Sequence, residues 1–114
     1  MPTPKPLHVL AAEAIGWTAA EPGAPGQWLG RNPRGGSKEL IGRYDEDHAK
    51  AGAVMAWLKP LLYWEERHQG WVAAWPVERE EGRVYGTGLT WPAAVAKLVV
   101  ELAAAGRLPS PPDL

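Results

Sequence analysis

The sequence contains no cysteine. That excludes disulfide staples, thiolate metal sites and thiol nucleophiles, and it fits a reducing cytosol. Phenylalanine is absent as well, so tryptophan, tyrosine and leucine must supply the bulk of any core. Serine occurs only at Ser37 and Ser110. The second lies in a proline-rich end, which leaves little from which to build an ordered serine triad. Charge of one sign is also lacking. Twelve basic residues against 13 acidic ones leave a net charge of −1, so no global field draws nucleic acid or an anionic membrane. No run approaches the roughly 18 apolar residues of a membrane span. The nearest, residues 92–105, is broken by Lys97 and Glu101. The opening Met1 to Pro6 has no long apolar run after a basic start and does not read as a secretory signal.

What is present is ordinary globular composition: 114 residues, 46% apolar and 22% charged. That length fits one domain, with one core and little surplus stability. Seven Trp, 12 Pro and 13 Gly stand out. Tryptophan reads first as core filling. On a surface it would mark a binding hot spot.

Periodicity divides the chain. Residues 1–5 read as a loose arm, 6–106 as a single α+β domain and 107–114 as a Pro-rich tail. Leu7, Leu10, Ala11, Ala14 and Ile15 recur at helical spacing, and Gly16 offers a left-handed cap. Glu21 to Gly26 holds two Pro and two Gly and reads as a loop. Gln27 to Arg31 and Ser37 to Tyr44 form a hairpin about the Asn32–Gly36 turn. Asp45 is the expected N-cap of a second helix, which ends at Lys59-Pro60. Leu61 to Arg67 and Trp71 to Arg79 form a second hairpin, with Pro76 at an edge or bulge. Arg83 to Thr87 adds a short third strand. Thr90 caps a last helix carrying Ala94, Val95, Leu98, Leu102 and Ala105, closed by Gly106. The order is α-β-β-α-β-β-(β)-α, an α+β sandwich of antiparallel hairpins packed with helices.

Gly16-Trp17 after the first helix, Trp28 before a glycine-rich turn, and the helix opening near Asp45 together carry a resemblance. So do the Trp71/Trp75 hairpin and the run Thr90-Trp91-Pro92-Ala93-Ala94-Val95-Ala96-Lys97. Over residues 6–105 the chain resembles the phage ABA sandwich domain family, whose last helix opens on a similar T-x-P-x-A pattern. Gly86-Thr87-Gly88-Leu89 is less polar than that family's usual approach to this helix. The resemblance implies a phage or prophage protein in a bacterial cytoplasm and transfers no catalytic residues.

No catalytic set, metal set or cofactor motif emerges from the residues. Asp45-Glu46-Asp47-His48 contains suitable metal ligands, but successive helical residues diverge by about 100° and capping explains the run better. His8 and His68 stand alone. Gly35-Gly36-Ser37-Lys38 lacks the spacing of a phosphate loop. Gly86-Thr87-Gly88 precedes a helix N-terminus and could hold an anion, although a plain strand-to-helix turn is the simpler reading. Arg31, Arg34, Lys38 and Arg43 face only one acid, Glu39, within 13 residues. With Trp28 and Tyr44 beside them they form the candidate binding set. The second hairpin is acidic, with Glu65, Glu66, Glu78, Glu80 and Glu81. Opposite charge on the two halves could drive self-association, so a homodimer stays open.

These residues lead to an expectation of binding without catalysis. The first form is a phage accessory protein that blocks a host protein during takeover or counter-defence. The second is a sponge for a small anionic ligand such as a signalling nucleotide. The third is a virion or assembly component.

Overall fold

The computed structural model describes residues 4–112. Three helices and two three-stranded antiparallel sheets form a compact α+β fold. The elements are α1 (Leu7–Ala14), β1 (Thr18–Pro22), β2 (Trp28–Arg31), β3 (Lys38–Leu40), α2 (His48–Leu58), β4 (Leu61–Glu65), β5 (Gly70–Trp75), β6 (Val84–Gly88) and α3 (Trp91–Ala104). No helix is long and apolar enough to cross a membrane among the described residues.

The best-defined element is α3. Thr90 is extended, and its hydroxyl accepts from the Ala93 amide at 3.4 Å. Pro92 occupies the first turn, where a missing N–H costs nothing. Val95, Leu98, Val99 and Leu102 are at most 1% exposed, so α3 is the centre of the core. It packs on β5 and β6 and touches both other helices. Trp17, Trp28, Ile41 and Tyr44 bring the first sheet and its flanks into the same core.

In the second sheet, strand order follows the chain, β4-β5-β6. Gly86 and Gly88 pair with Ala73 and Trp71, and all four lie under α3. A β-carbon on Gly86 would sit 2.5 Å from the Ala94 carbonyl oxygen and 2.6 Å from Leu98 Cα. Glycine there lets the helix backbone rest directly on the strand.

Several details depart from the sequence reading. Glu21 and Pro22 read as the start of a loop, yet Thr18–Pro22 pairs with β2 as an edge strand. Ala19 has φ 54 and the register shifts between Thr18 and Glu21, a bulge that erases the alternation a strand would show. The cap of α2 is Asp47, not Asp45: its carboxylate accepts from the Ala49 and Lys50 amides. Asp45 sits in the preceding turn, paired with Arg43. The return strand is shorter than Ser37–Tyr44, ending at Leu40, and the second hairpin's strands end at Glu65 and Trp75, short of Arg67 and Arg79.

Most of the tryptophan serves the core. Trp17 and Trp28 are buried, Trp57, Trp71, Trp75 and Trp91 pack partly buried against it, and Trp64 is exposed. At the two ends, Lys5 pairs with Glu13 at 2.7 Å. The Arg107 guanidinium donates to the Gly82 carbonyl, and Leu108 packs on the core. The start of the expected tail is thus held against the domain. The rest of that expectation, at Asp113 and Leu114, lies outside the described residues, as do Met1 to Thr3 of the expected arm.

Candidate binding surfaces

The basic hairpin is built around its own turn. Asn32 closes it, accepting from the Arg34 amide through its side chain and donating to Glu39 at 2.9 Å. Arg31 donates to the Gly36 carbonyl at 3.0 Å. Lys38 pairs with Glu21 on β1. Arg43 lies apart from the tip, with Nε on Asp45 at 3.1 Å and Nη2 on Glu46 at 2.7 Å. The hairpin remains basic at its tip, but each cation at Arg31, Lys38 and Arg43 has a local partner.

The two aromatic members of the set point inward. Trp28 is buried in the core, and Tyr44 accepts from the Trp17 indole at 3.3 Å. Burial pushes the Tyr44 phenol above its ordinary value, against the Trp17 hydrogen bond and Arg34, which pull it down. Neither ring is presented to a base or partner as a stacking platform.

Trp28 and Arg43 do meet in a cleft of about 270 Å³ with His8, Gln27 and Leu40. His8 is 3% exposed, and neither imidazole nitrogen has a hydrogen-bond partner among the described residues. Burial, reinforced by the Arg43 charge, lowers its pKa below 6.5, with Asp45 and Glu46 acting in the opposite sense. Both ring nitrogens are themselves covered, so the imidazole contributes its carbon edge to the cleft wall.

Gly86, Thr87 and Gly88 divide between two faces. The glycines admit α3, and Thr87 points the other way and is exposed. No group of three or more His, Asp or Glu residues is placed to hold a metal among the described residues.

A surface the sequence reading passed over is the far side of the second sheet. Strand alternation places Leu61 and Tyr63 of β4, Gly70, Val72 and Ala74 of β5, and Tyr85 and Thr87 of β6 on the side away from α3. Val72 and Ala74 are buried yet stand outside the core cluster. No helix packs on that side among the described residues. The middle strand is lined by small side chains, while Tyr63 and Leu61 (36% and 39% exposed) form one wall and Tyr85 (50%) the other. Between these walls the strand itself is covered, with Ala74 0% and Val72 7% exposed. The face opens at its other end as a cleft of about 450 Å³ bounded by His68, Trp71, Thr87 and Leu89. The signal was present: β5 reads Trp71-Val72-Ala73-Ala74-Trp75, apolar on both parities, which is the pattern of a strand covered on both faces.

No protein-family model matches the chain, and no curated protein matches it.

Proposed function

We propose that this protein is a non-catalytic binding protein whose partner is another protein, held on the open face of the second sheet. One observation carries this reading: Leu61, Tyr63 and Tyr85 stand exposed together on the side of the second sheet away from α3. Contiguous apolar surface rimmed by charge is the usual mark of an interaction site. Tyrosine contributes contact area at low entropic cost. The resemblance to a phage family supplies the setting, a phage or prophage product that binds and blocks a protein of its host.

Native purification with mass spectrometry tests it, comparing the wild type with Tyr63→Glu/Tyr85→Glu. A partner held by the wild type and lost from the variant supports the reading. A partner retained by both moves the binding site elsewhere, with the hairpin bearing Arg31, Arg34 and Lys38 next to be tested. No specific partner overturns the reading.

The second reading, capture of a small anionic ligand, has one observation in its favour: Arg43 and Trp28 share the smaller cleft. It ranks second because Asp45 and Glu46 already offset the Arg43 charge. A thermal-shift panel of nucleotides and small acids decides it, since a ligand specific for the folded state must raise the melting temperature.

A further inference from the structure

We propose that the outer edge of β4 pairs with β4 of a second copy of this chain, antiparallel across a two-fold axis at Leu62. Two three-stranded sheets then become one of six strands. The proposal does not depend on what the open face binds. It starts from hydrogen bonds left unmade. β4 is an outermost strand, paired on one side only, with β5. Among the helices and strands, β5 is also its only substantial neighbour. Alternate residues of β4 therefore turn their N–H and C=O groups away from the sheet, a template for another strand.

The other three sheet edges carry features that discourage such pairing. β1 is bulged between Thr18 and Glu21, has Ala19 at φ 54, and ends on Pro22. β3 has three residues, of which Lys38 and Glu39 are charged. β6 has Gly86 and Gly88, with the α3 backbone lying on them, and glycine weakens a strand. None of this protects β4. Leu61-Leu62-Tyr63-Trp64-Glu65 keeps an unbroken register with β5, and Leu61, Tyr63 and Trp64 are exposed.

Charge names the occupant. The charged residues nearest the two ends of the edge are Lys59 before it and Glu65 at its close. Neither has an ion-pair partner among the described residues. Antiparallel pairing about Leu62 brings Lys59 of each copy beside Glu65 of the other, and sets Leu61 opposite Tyr63. The strand is thus complementary to itself, basic end to acidic end, twice per dimer. The residues that follow, Glu66 and Arg67, offset each other. Glu78, Glu80 and Glu81 belong to the loop that carries the chain from β5 away to β6.

Sedimentation of the whole protein over a range of concentrations tests the pairing. A monomer–dimer equilibrium is expected. Lys59→Glu should weaken the dimer about tenfold, because it sets acid against acid, and Lys59→Glu/Glu65→Lys should restore it. Circular dichroism of each variant separates dissociation from misfolding. Both changes leave Leu61, Tyr63 and Tyr85 in place, so a lost dimer is distinguishable from a lost partner of the open face. The chain has no cysteine, so crosslinking can report the register. An oxidised mixture of Leu61→Cys and Tyr63→Cys should give the mixed disulfide dimer, and neither variant alone should crosslink. A protein that stays monomeric, a dimer indifferent to Lys59→Glu, or a mixture that fails to crosslink overturns the proposal.

Discussion

The indole Nε1 of Trp17 donates to the Tyr44 hydroxyl at 3.3 Å, inside the core and across 27 residues of chain. The bond ties the corner after α1 to the turn before α2, two segments with no regular structure to hold them. Removing the acceptor leaves a buried N–H without a partner, a loss of about 1–3 kcal/mol. Tyr44→Phe should therefore lower the urea midpoint with little change in slope, measured by equilibrium unfolding. An unchanged midpoint would mean that the indole finds water.

His8 makes stability depend on mild acid. Its pKa is lowered by burial first and by Arg43 second, with Asp45 and Glu46 opposing. The unfolded chain therefore binds a proton at a higher pH than the native one. Stability from this group is complete above about pH 6.5 and falls as pH drops below it, because the unfolded state takes up protons the native state refuses. Melting temperatures between pH 7 and pH 5 should show a decline that His8→Leu makes shallower. Parallel curves for the two proteins would remove His8 as the cause.

Gly86 and Gly52 should respond to alanine in opposite directions. At Gly86 the new methyl meets the Ala94 carbonyl and Leu98 backbone, neither of which can yield without moving α3. Overpacking of this kind costs about 3 kcal/mol. Gly52 lies inside α2 with open space at its β-carbon and no left-handed φ. Gly52→Ala should add about 0.4–1 kcal/mol. Calorimetry on the two variants checks both signs.

The identity of the α2 cap is a matter of which aspartate loses more on truncation. Asp47→Ala removes the acceptor for two helix amides and should cost about 1 kcal/mol. Asp45→Ala removes one partner of Arg43, whose guanidinium is partly exposed and keeps Glu46, and should cost less, because the cation stays paired and in reach of water. Urea unfolding that ranks Asp45 above Asp47 would contradict the capping geometry.

These cases show what the sequence could disclose. Thr90, Pro92 and Gly106 marked α3 because its caps are local and its stripe has a clean helical period. The edge strand Thr18–Pro22 was invisible because the bulge at Ala19 breaks its alternation and Pro22 imitates a loop. Asp45 and Asp47 are equivalent by composition; Arg43 separates them by occupying the first. The candidate site suffered most. Counting Arg31, Arg34, Lys38 and Arg43 gives a charge total, whereas Glu21, Asp45 and Glu46 supply partners that only folding reveals. Trp28 and Tyr44 belong to a core whose centre is set by α3, which begins only at Trp91. The burial of β5 on both faces was written in its double-sided apolar pattern, but that pattern does not say that Leu61, Tyr63 and Tyr85 would stand exposed beside it.

The central place of α3 also bears on how the protein is made. The second sheet and both other helices lean on a helix that leaves the ribosome after all the strands. Until Val95, Leu98 and Leu102 have been synthesised, the second sheet has no helix to close upon. Earlier segments must wait with their apolar sides uncovered, and the domain assembles in one late step instead of piece by piece during translation.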